Sequence, residues 1–203
     1  MPRPRSLTPR RLAQAALAVL DRDGADGLSM RAVAAELQLS TMGLYRYVTD
    51  RDELERLIVD LVLEDLDHQT SEEEPWQERI TQLAHRARAA VLRHPAAVPL
   101  LLTHRQDSTH AQRWGEAILA VLGDAGYDGT TRAIAFRTLL SYILGALQVQ
   151  HHSPLDGPGT EALADLPADH YPHLARTAQA AAHIDPAEEF REGLATVLRG
   201  LRP

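Results

Sequence analysis

One stretch of the chain limits its possible folds more than any other. Residues 131–152 follow a helical pattern, and between Ala133 and Val149 the only charged residue is Arg137. A helix that is apolar on every side has to be buried on every side. A chain of 203 residues forms about one hydrophobic core. The stretch therefore predicts a helix whose burial is completed by a second copy of the chain.

The composition predicts that the rest of the chain is helical as well. There are 31 leucines and 31 alanines but only 6 isoleucines and 10 valines, and aromatic residues make up 4%. Strong helix formers therefore far outnumber the β-branched and aromatic residues that favour strands. Hydrophobic residues, at 44%, are numerous enough to fill a core. We predict an all-α fold of about nine to ten helices.

Charge is distributed unevenly along the chain. Residues 1–49 hold seven arginines and four acidic residues, a net charge of +3, whereas residues 50–203 have a net charge of −10. The overall charge of −7 therefore hides a basic N-terminal part. Such an asymmetry is typical of a protein in which one end contacts phosphate and the other does not.

Residues 29–51 have the pattern of two short helices joined by a tight turn. Ser29 is a typical N-cap, the first helix ends after Leu37, and the second runs from Thr41 to Val48. Their apolar positions would lock the two helices together and leave one side of the second helix facing outward. An α-helix of this kind fits the major groove of DNA. The alternative is a helical corner with half-buried tyrosines. The positions predicted to be buried are Val33, Ala34, Leu37, Leu39, Leu44 and Val48.

The same residues resemble the DNA-binding head of the tetracycline-repressor (TetR) family. The resemblance lies in the motif LYRYV at residues 44–48, followed by DRDEL at residues 50–54. It implies a three-helix head at residues 1–49, a connecting helix at 50–67 and a ligand-binding and dimerisation body at 75–203. The body carries weaker matches. These are Trp76, the turn Arg93-His94-Pro95, the turn Ala125-Gly126-Tyr127 and the pattern FxxGLxxxLxxL over residues 190–201.

The resemblance implies which residues contact DNA. Residues at the start of the second helix would face bases, the two tyrosines would lie on the backbone, and arginines would bind phosphate or guanine. The eight residues are Arg31, Thr41, Met42, Gly43, Tyr45, Arg46, Tyr47 and Arg51. The arginines of the N-terminal arm would add affinity for phosphate or belong to a solubilising tail. They are Arg3, Arg5, Arg10 and Arg11.

Two helices of the body are candidates for a homodimer interface. The apolar stretch 131–152 and the final helix would pair with their mates in a four-helix bundle, and two recognition helices about 34 Å apart would read a palindromic operator. The alternative is an intramolecular core helix. The predicted interface residues are Leu140, Leu144, Leu147, Phe190, Leu194, Val197 and Leu201.

The resemblance also implies a pocket for a small-molecule effector, lined by the middle helices of the body. Its predicted residues are Leu83, His85, Ala87, Leu101, Thr103, His104, Trp114, Ile118, Tyr142 and Gln148. Tetracycline-responsive members use a histidine early in the sixth helix, and the corresponding residues 96–102 contain none. We therefore expect an effector more apolar than a metal-bound tetracycline.

Other classes of function receive little support from the sequence. There is no cysteine, no phosphate loop and no nucleophile elbow, so an enzyme is not expected. We expect no cofactor and no metal site, because no histidine–carboxylate set has zinc-site spacing. No secretory signal is visible and no apolar run approaches membrane-spanning length, which predicts a cytoplasmic protein. Two hypotheses remain: a ligand-released, homodimeric repressor, or a helical small-molecule binder or adaptor that does not contact DNA.

Overall fold

The computed structural model describes residues 7–202 and is all-α over that range, as predicted. It contains eleven α-helices there, rather than nine to ten, and no strand. The helices are α1 (Pro9–Gly27), α2 (Met30–Glu36), α3 (Thr41–Leu44), α4 (Arg51–Val62), α5 (Trp76–Leu92), α6 (Val98–His104), α7 (Thr109–Asp124), α8 (Gly129–His152), α9 (Pro158–Ala164), α10 (Pro172–Ala181) and α11 (Pro186–Gly200). Residues 95–97 and 105–107 form 3-10 turns.

Two elements differ from the sequence prediction. Residues 153–168 contain α9, although their prolines and glycines predicted a loop; Pro158 occupies the first helical turn, where proline is tolerated. The helix predicted over Thr41–Val48 is helical only as far as Leu44, and residues 45–47 form a turn. The recognition element is therefore shorter than the sequence pattern indicated.

The chain divides into two compact units. The first runs as far as Gln69 and includes His85–Ala117; the second consists of Thr70–Ala84 and the chain from Ile118 onward. In the first unit, α1 packs against α2 and α4, and α4 packs against α6. The fully buried leucines and isoleucine of this unit are Leu12, Leu20, Leu28, Leu44, Leu54 and Ile58.

Leu39 does not take the buried position predicted for it. Val33, Ala34, Leu44 and Val48 are buried, Leu37 is partly buried, and Leu39 is 36% exposed. The reason is the way in which α2 ends. Leu39 lies two residues after the C-cap residue Leu37, and its N–H donates to the carbonyl of Ala34 (2.8 Å). This bond reverses the chain at the end of α2 and turns the Leu39 side chain toward solvent.

In the second unit, α8 packs against α11 through one face only. The buried residues of α8 are Ala135, Leu139, Ile143 and Leu147, and those of α11 are Phe190, Leu194 and Leu198. The remaining surface of α8 is exposed although it is largely uncharged: Ile134 is 60% exposed and Val149 is 53% exposed. Within one chain, α8 is therefore not buried on every side.

α8 also has the length and composition of a membrane-spanning helix. It has 24 residues, and an 18-residue window within it has a mean hydropathy of 1.2, which corrects the expectation that no apolar run approaches that length. Core helices of soluble proteins share these properties, so length and composition do not decide between a bilayer and a protein partner.

The contact between α8 and α11 depends on a glycine in the C-terminal pattern. The Tyr142 hydroxyl donates to the carbonyl of Phe190 (2.7 Å), and the two rings lie 5.7 Å apart. A β-carbon at Gly193 would lie 2.3 Å from that hydroxyl oxygen. Only glycine allows α11 to approach Tyr142 this closely.

Gly193→Ala is therefore expected to destabilise the protein. Alanine is favoured over glycine within a helix by about 1 kcal/mol, but displacing Tyr142 should cost about 1–3 kcal/mol more than this gain. Urea unfolding at fixed protein concentration measures the difference. Gly200→Ala is the matched control, because a β-carbon there meets no atom within 4 Å; equal stability of the two variants would contradict the assignment.

Candidate nucleic-acid interface

The turn between α2 and α3 is fixed by caps on both sides. The Ser29 hydroxyl accepts a hydrogen bond from the Ala32 N–H (3.2 Å) at the start of α2. At its end, Gln38 takes the left-handed conformation with φ of 56°, and its N–H donates to Ala35 (3.0 Å). This arrangement satisfies the last carbonyls of α2 and reverses the chain toward α3.

Gly43 serves the N-cap of α3. The Gly43 N–H donates to the hydroxyl of Ser40 (3.0 Å), and a β-carbon at position 43 would lie 3.2 Å from that hydroxyl oxygen. The glycine therefore has a local structural reason, since a larger residue would press on the cap.

The side chains that follow point away from the protein interior. Met42 is 77% exposed, Tyr45 47% and Tyr47 43%. Arg46 is exposed, and its guanidinium lies 6.0 Å from the centre of the Tyr47 ring. Thr41 and Gly43 are partly exposed. A helical corner with inward-packed tyrosines is not what the structure shows.

Two of the predicted DNA-contacting arginines are free to bind an anion. Arg31 and Arg46 are exposed and form no hydrogen bond or ion pair with any residue that the structure describes. By contrast, Arg22 in α1 is paired with Asp23 (3.0 Å) and Glu36 (2.9 Å). Free guanidinium groups beside exposed tyrosines are the chemistry that phosphate and guanine contacts require.

Arg51 is more constrained than the sequence indicated. Its Nε donates to Glu55 (2.6 Å) and its Nη2 donates to the carbonyl of Ala25 (3.1 Å), although half of the side chain remains exposed. A phosphate would therefore have to share this guanidinium with Glu55. In the N-terminal arm, Arg10 pairs with Glu64 (3.0 Å) and Arg11 is exposed. The predictions for Arg3 and Arg5 lie outside the described residues.

The junction between α3 and α4 is held by reciprocal caps. The Asp50 carboxylate accepts from the Glu53 N–H (2.8 Å), and the Glu53 carboxylate accepts from the N–H (2.7 Å) and hydroxyl (2.8 Å) of Thr49. Asp50 and Glu53 thus form a capping pattern whose return bond is on Thr49. These bonds from Thr49 hold the pKa of Glu53 below its ordinary value of 4.5.

A depressed pKa in the folded state stabilises the protein at pH values above the unfolded-state pKa. Glu53→Gln should therefore lower the free energy of unfolding at pH 7 by about 0.5–1 kcal/mol. The difference from the native chain should shrink as the pH falls from 4.5 through the lowered pKa of Glu53, below which the native carboxylate is protonated as well. Urea unfolding from pH 7 to a pH below this lowered pKa tests this; a difference that persists at the acidic end would contradict it.

Polar contacts that the sequence analysis missed join α4 to the segment from α6 to α7. The Nε2 atom of the buried His104 lies 3.0 Å from Glu55, and the hydroxyl of the buried Ser108 donates to Asp60 (2.7 Å). The paired residues are 49 and 48 positions apart, so local spacing could not reveal them. The contact between His104 and Glu55 continues through Arg51 to the carbonyl of Ala25, which makes a continuous chain of polar contacts.

The residues predicted to line an effector pocket differ in their environment. Six are buried, namely Leu83, Ala87, Leu101, His104, Trp114 and Ile118. Thr103 is exposed, and His85, Tyr142 and Gln148 are partly buried. Leu83, Ile118, Tyr142 and Gln148 belong to the second compact unit and the others to the first. The polar atoms of His104 and Tyr142 already have protein partners, so the pocket stays a prediction.

Known proteins are similar to this chain in both sequence and fold. The family described as tetracyclin repressor-like, C-terminal domain, matches residues 70–203. The class D tetracycline repressor protein of Escherichia coli is 30% identical over 193 residues, covering 92% of this chain and 85% of that protein. The transcriptional repressor DrrR1 of Streptomyces coeruleorubidus is 31% identical over 156 residues, but the chain spans only 55% of its length.

A solved structure extends the similarity to the whole described chain. Apo ActR from Streptomyces coelicolor superposes with a TM-score of 0.82 at 26% identity, covering 98% of this chain and 96% of ActR. Sequence match, fold and the outward-facing α3 agree. The chain belongs to the tetracycline-repressor (TetR) family of transcriptional regulators.

Proposed function

We propose that the protein is a cytoplasmic, homodimeric repressor that binds a palindromic operator and releases it when a small molecule binds. The observation that carries the proposal is the surface of α3 and the turn after it. Met42, Tyr45, Arg46 and Tyr47 are exposed there, without burial in their own chain. A short helix with exposed aromatic and basic side chains fits a major groove and its flanking phosphates.

Homodimerisation is supported by the uncovered surface of α8. One side of this helix carries mostly uncharged, exposed residues at helical spacing, and nothing in residues 7–202 covers it. They are Ile134, Thr138, Ser141, Gly145 and Val149. Small residues in the middle of such a face let two helices approach closely. A second copy of α8 is the partner that we propose.

We propose an interface that differs in part from the sequence prediction. Leu147, Phe190 and Leu194 are buried within their own chain, at 3%, 2% and 0% exposure. They stabilise the α8–α11 pair and have little surface left for a partner. Leu140, Leu144, Val197 and Leu201 are only partly buried, so they can contribute at the margins.

Release by a small molecule is supported by similarity to a ligand-bound protein. ActR has been solved in complex with (S)-DNPA and with actinorhodin. We propose that the effector of this chain is an apolar organic molecule. Through the polar contacts from His104 to Ala25, a movement of α6 would displace α4 and the head. Effector binding would then weaken operator binding, and operator binding would weaken effector binding, by about 1–3 kcal/mol.

The proposal is tested by selecting duplexes from a random DNA library with the full-length protein. The expected outcome is a palindrome with half-sites about one helical turn apart. Binding to it should weaken steeply with salt, with a slope of roughly −0.9 per phosphate contacted. Failure to enrich any duplex at low salt would favour the second hypothesis, a small-molecule binder without DNA contact, whose affinity for an apolar ligand would change little with salt.

A further inference from the structure

We propose that Asp52, Glu55 and His104 form a binding site for a first-row divalent transition metal between α4 and the C-terminal end of α6. One ligand atom from each residue lies within 4.8 Å of the other two. Nε2 of His104 is 3.0 Å from Oε2 of Glu55 and 3.6 Å from Oδ1 of Asp52. Ligands about 2.0–2.1 Å from a tetrahedral zinc ion are roughly 3.3 Å apart, so only small shifts are needed.

The two carboxylates are oriented toward the histidine by arginines. Oε1 of Glu55 accepts from Nε of Arg51 (2.6 Å), and Oδ2 of Asp52 accepts from Nη1 of Arg56 (2.6 Å). Each carboxylate therefore keeps its second oxygen for the cluster. Hydrogen bonds of this kind to ligating carboxylates hold them in position at metal sites. The three-residue spacing of Asp52 and Glu55 places both on the same face of α4.

The cluster is enclosed by protein on one side and exposed to solvent on the other. The side chain of His104 is 4% exposed and that of Glu55 is 15% exposed, whereas that of Asp52 is 56% exposed. An ion can therefore enter past Asp52, and a water molecule can supply a fourth ligand there. The buried imidazole would give the site rigidity that exposed acidic groups lack.

The donor set selects the kind of metal. One imidazole nitrogen and two carboxylate oxygens suit Zn²⁺ and its neighbours, whereas Mg²⁺ and Ca²⁺ prefer oxygen ligands alone. The positive charges of Arg51 and Arg56 offset the two carboxylates, so we expect moderate affinity. Because Glu55 also holds Arg51, a bound metal would change the contact that anchors Arg51 near the head; this consequence for operator binding rests on the proposed function.

The site is tested without DNA, by calorimetric titration of Zn²⁺ into the full-length, chelator-treated protein. We expect the native protein to bind one Zn²⁺ ion per chain. Both His104→Gln and Asp52→Asn should weaken this binding at least tenfold. His110→Gln is the matched control, because its ring lies on the same segment, 3.8 Å from Asp60, and should leave this affinity unchanged.

Unchanged Zn²⁺ affinity in either His104→Gln or Asp52→Asn would overturn the site, as would an equal loss in the control. Circular dichroism shows whether the buried histidine can be replaced without unfolding. If it cannot, Asp52→Asn decides alone, because the side chain of Asp52 is 56% exposed and asparagine keeps its size. Duplex selection on the same chain is a separate measurement, so failure of metal binding and failure of DNA binding are distinguishable.

Discussion

Replacing Arg46 with alanine is expected to lower affinity for the selected operator by about tenfold to a hundredfold, or about 1–3 kcal/mol. Arg46 is exposed, unpaired among the residues that the structure describes, and adjacent to the exposed Tyr47 ring. Its removal would therefore cost the proposed DNA contacts without loss of a hydrogen bond or ion pair among the described residues. Fluorescence anisotropy with labelled duplex at fixed salt measures the change.

The pattern across sequences separates base reading from phosphate binding. If Arg46 reads guanine, the alanine variant should lose preference among duplexes, whereas Arg51→Ala should weaken binding to all duplexes alike. Arg113→Ala is the matched control, because Arg113 is an exposed arginine on α7, outside the helix-turn-helix. A loss in the control equal to that of Arg46→Ala would mean that only net charge matters.

Placing a glutamate at Gly145 is expected to convert the proposed homodimer into monomers. Gly145 lies on the exposed face of α8, and a β-carbon there meets no atom within 4 Å in its own chain. In a two-fold interface, the substitution would bury two like charges next to each other. A buried, unpaired charge costs about 3–5 kcal/mol, which raises the dimer dissociation constant roughly a hundredfold to several thousandfold. Sedimentation velocity over a range of concentrations measures it.

Two further variants show whether the α8 face is the interface. Gly145→Ala should stabilise an isolated helix by about 1 kcal/mol, so weaker dimerisation with this substitution would indicate close packing against a partner. Gly159→Glu introduces the same charge on α9, also where a β-carbon meets nothing within 4 Å, and should leave the dimer intact. A dimer that survives Gly145→Glu would exclude this face and leave a lipid surface or another protein as its cover.

Much of the head could be predicted from the sequence because its signals are local. Ser29, Ser40 and Asp50 each cap the helix that follows, and each lies within three residues of the N–H that it accepts. The errors in the head were local as well. The sequence pattern could not show that Leu39 follows a left-handed Gln38, because glutamine seldom adopts that conformation.

The body was predicted less completely because its decisive contacts are distant in sequence. The apolar character of α8 indicated burial but not which face is covered by α11. The orientation of α8 against α11 depends on the close approach of Tyr142 to Gly193, and these two residues lie on different helices. In the same way, no spacing rule brings His104 to Asp52 and Glu55.

The amino-acid order alone determined that the chain is helical, where most helices begin, and that a helix-turn-helix lies near its N-terminus. These properties follow from periodicity and capping, which act between residues a few positions apart. Tertiary packing alone decided which side of α8 stays uncovered and which charged groups meet between α4 and α6. Such choices depend on how whole helices rotate against one another, and that rotation is set by the shape of side chains that the sequence keeps far apart.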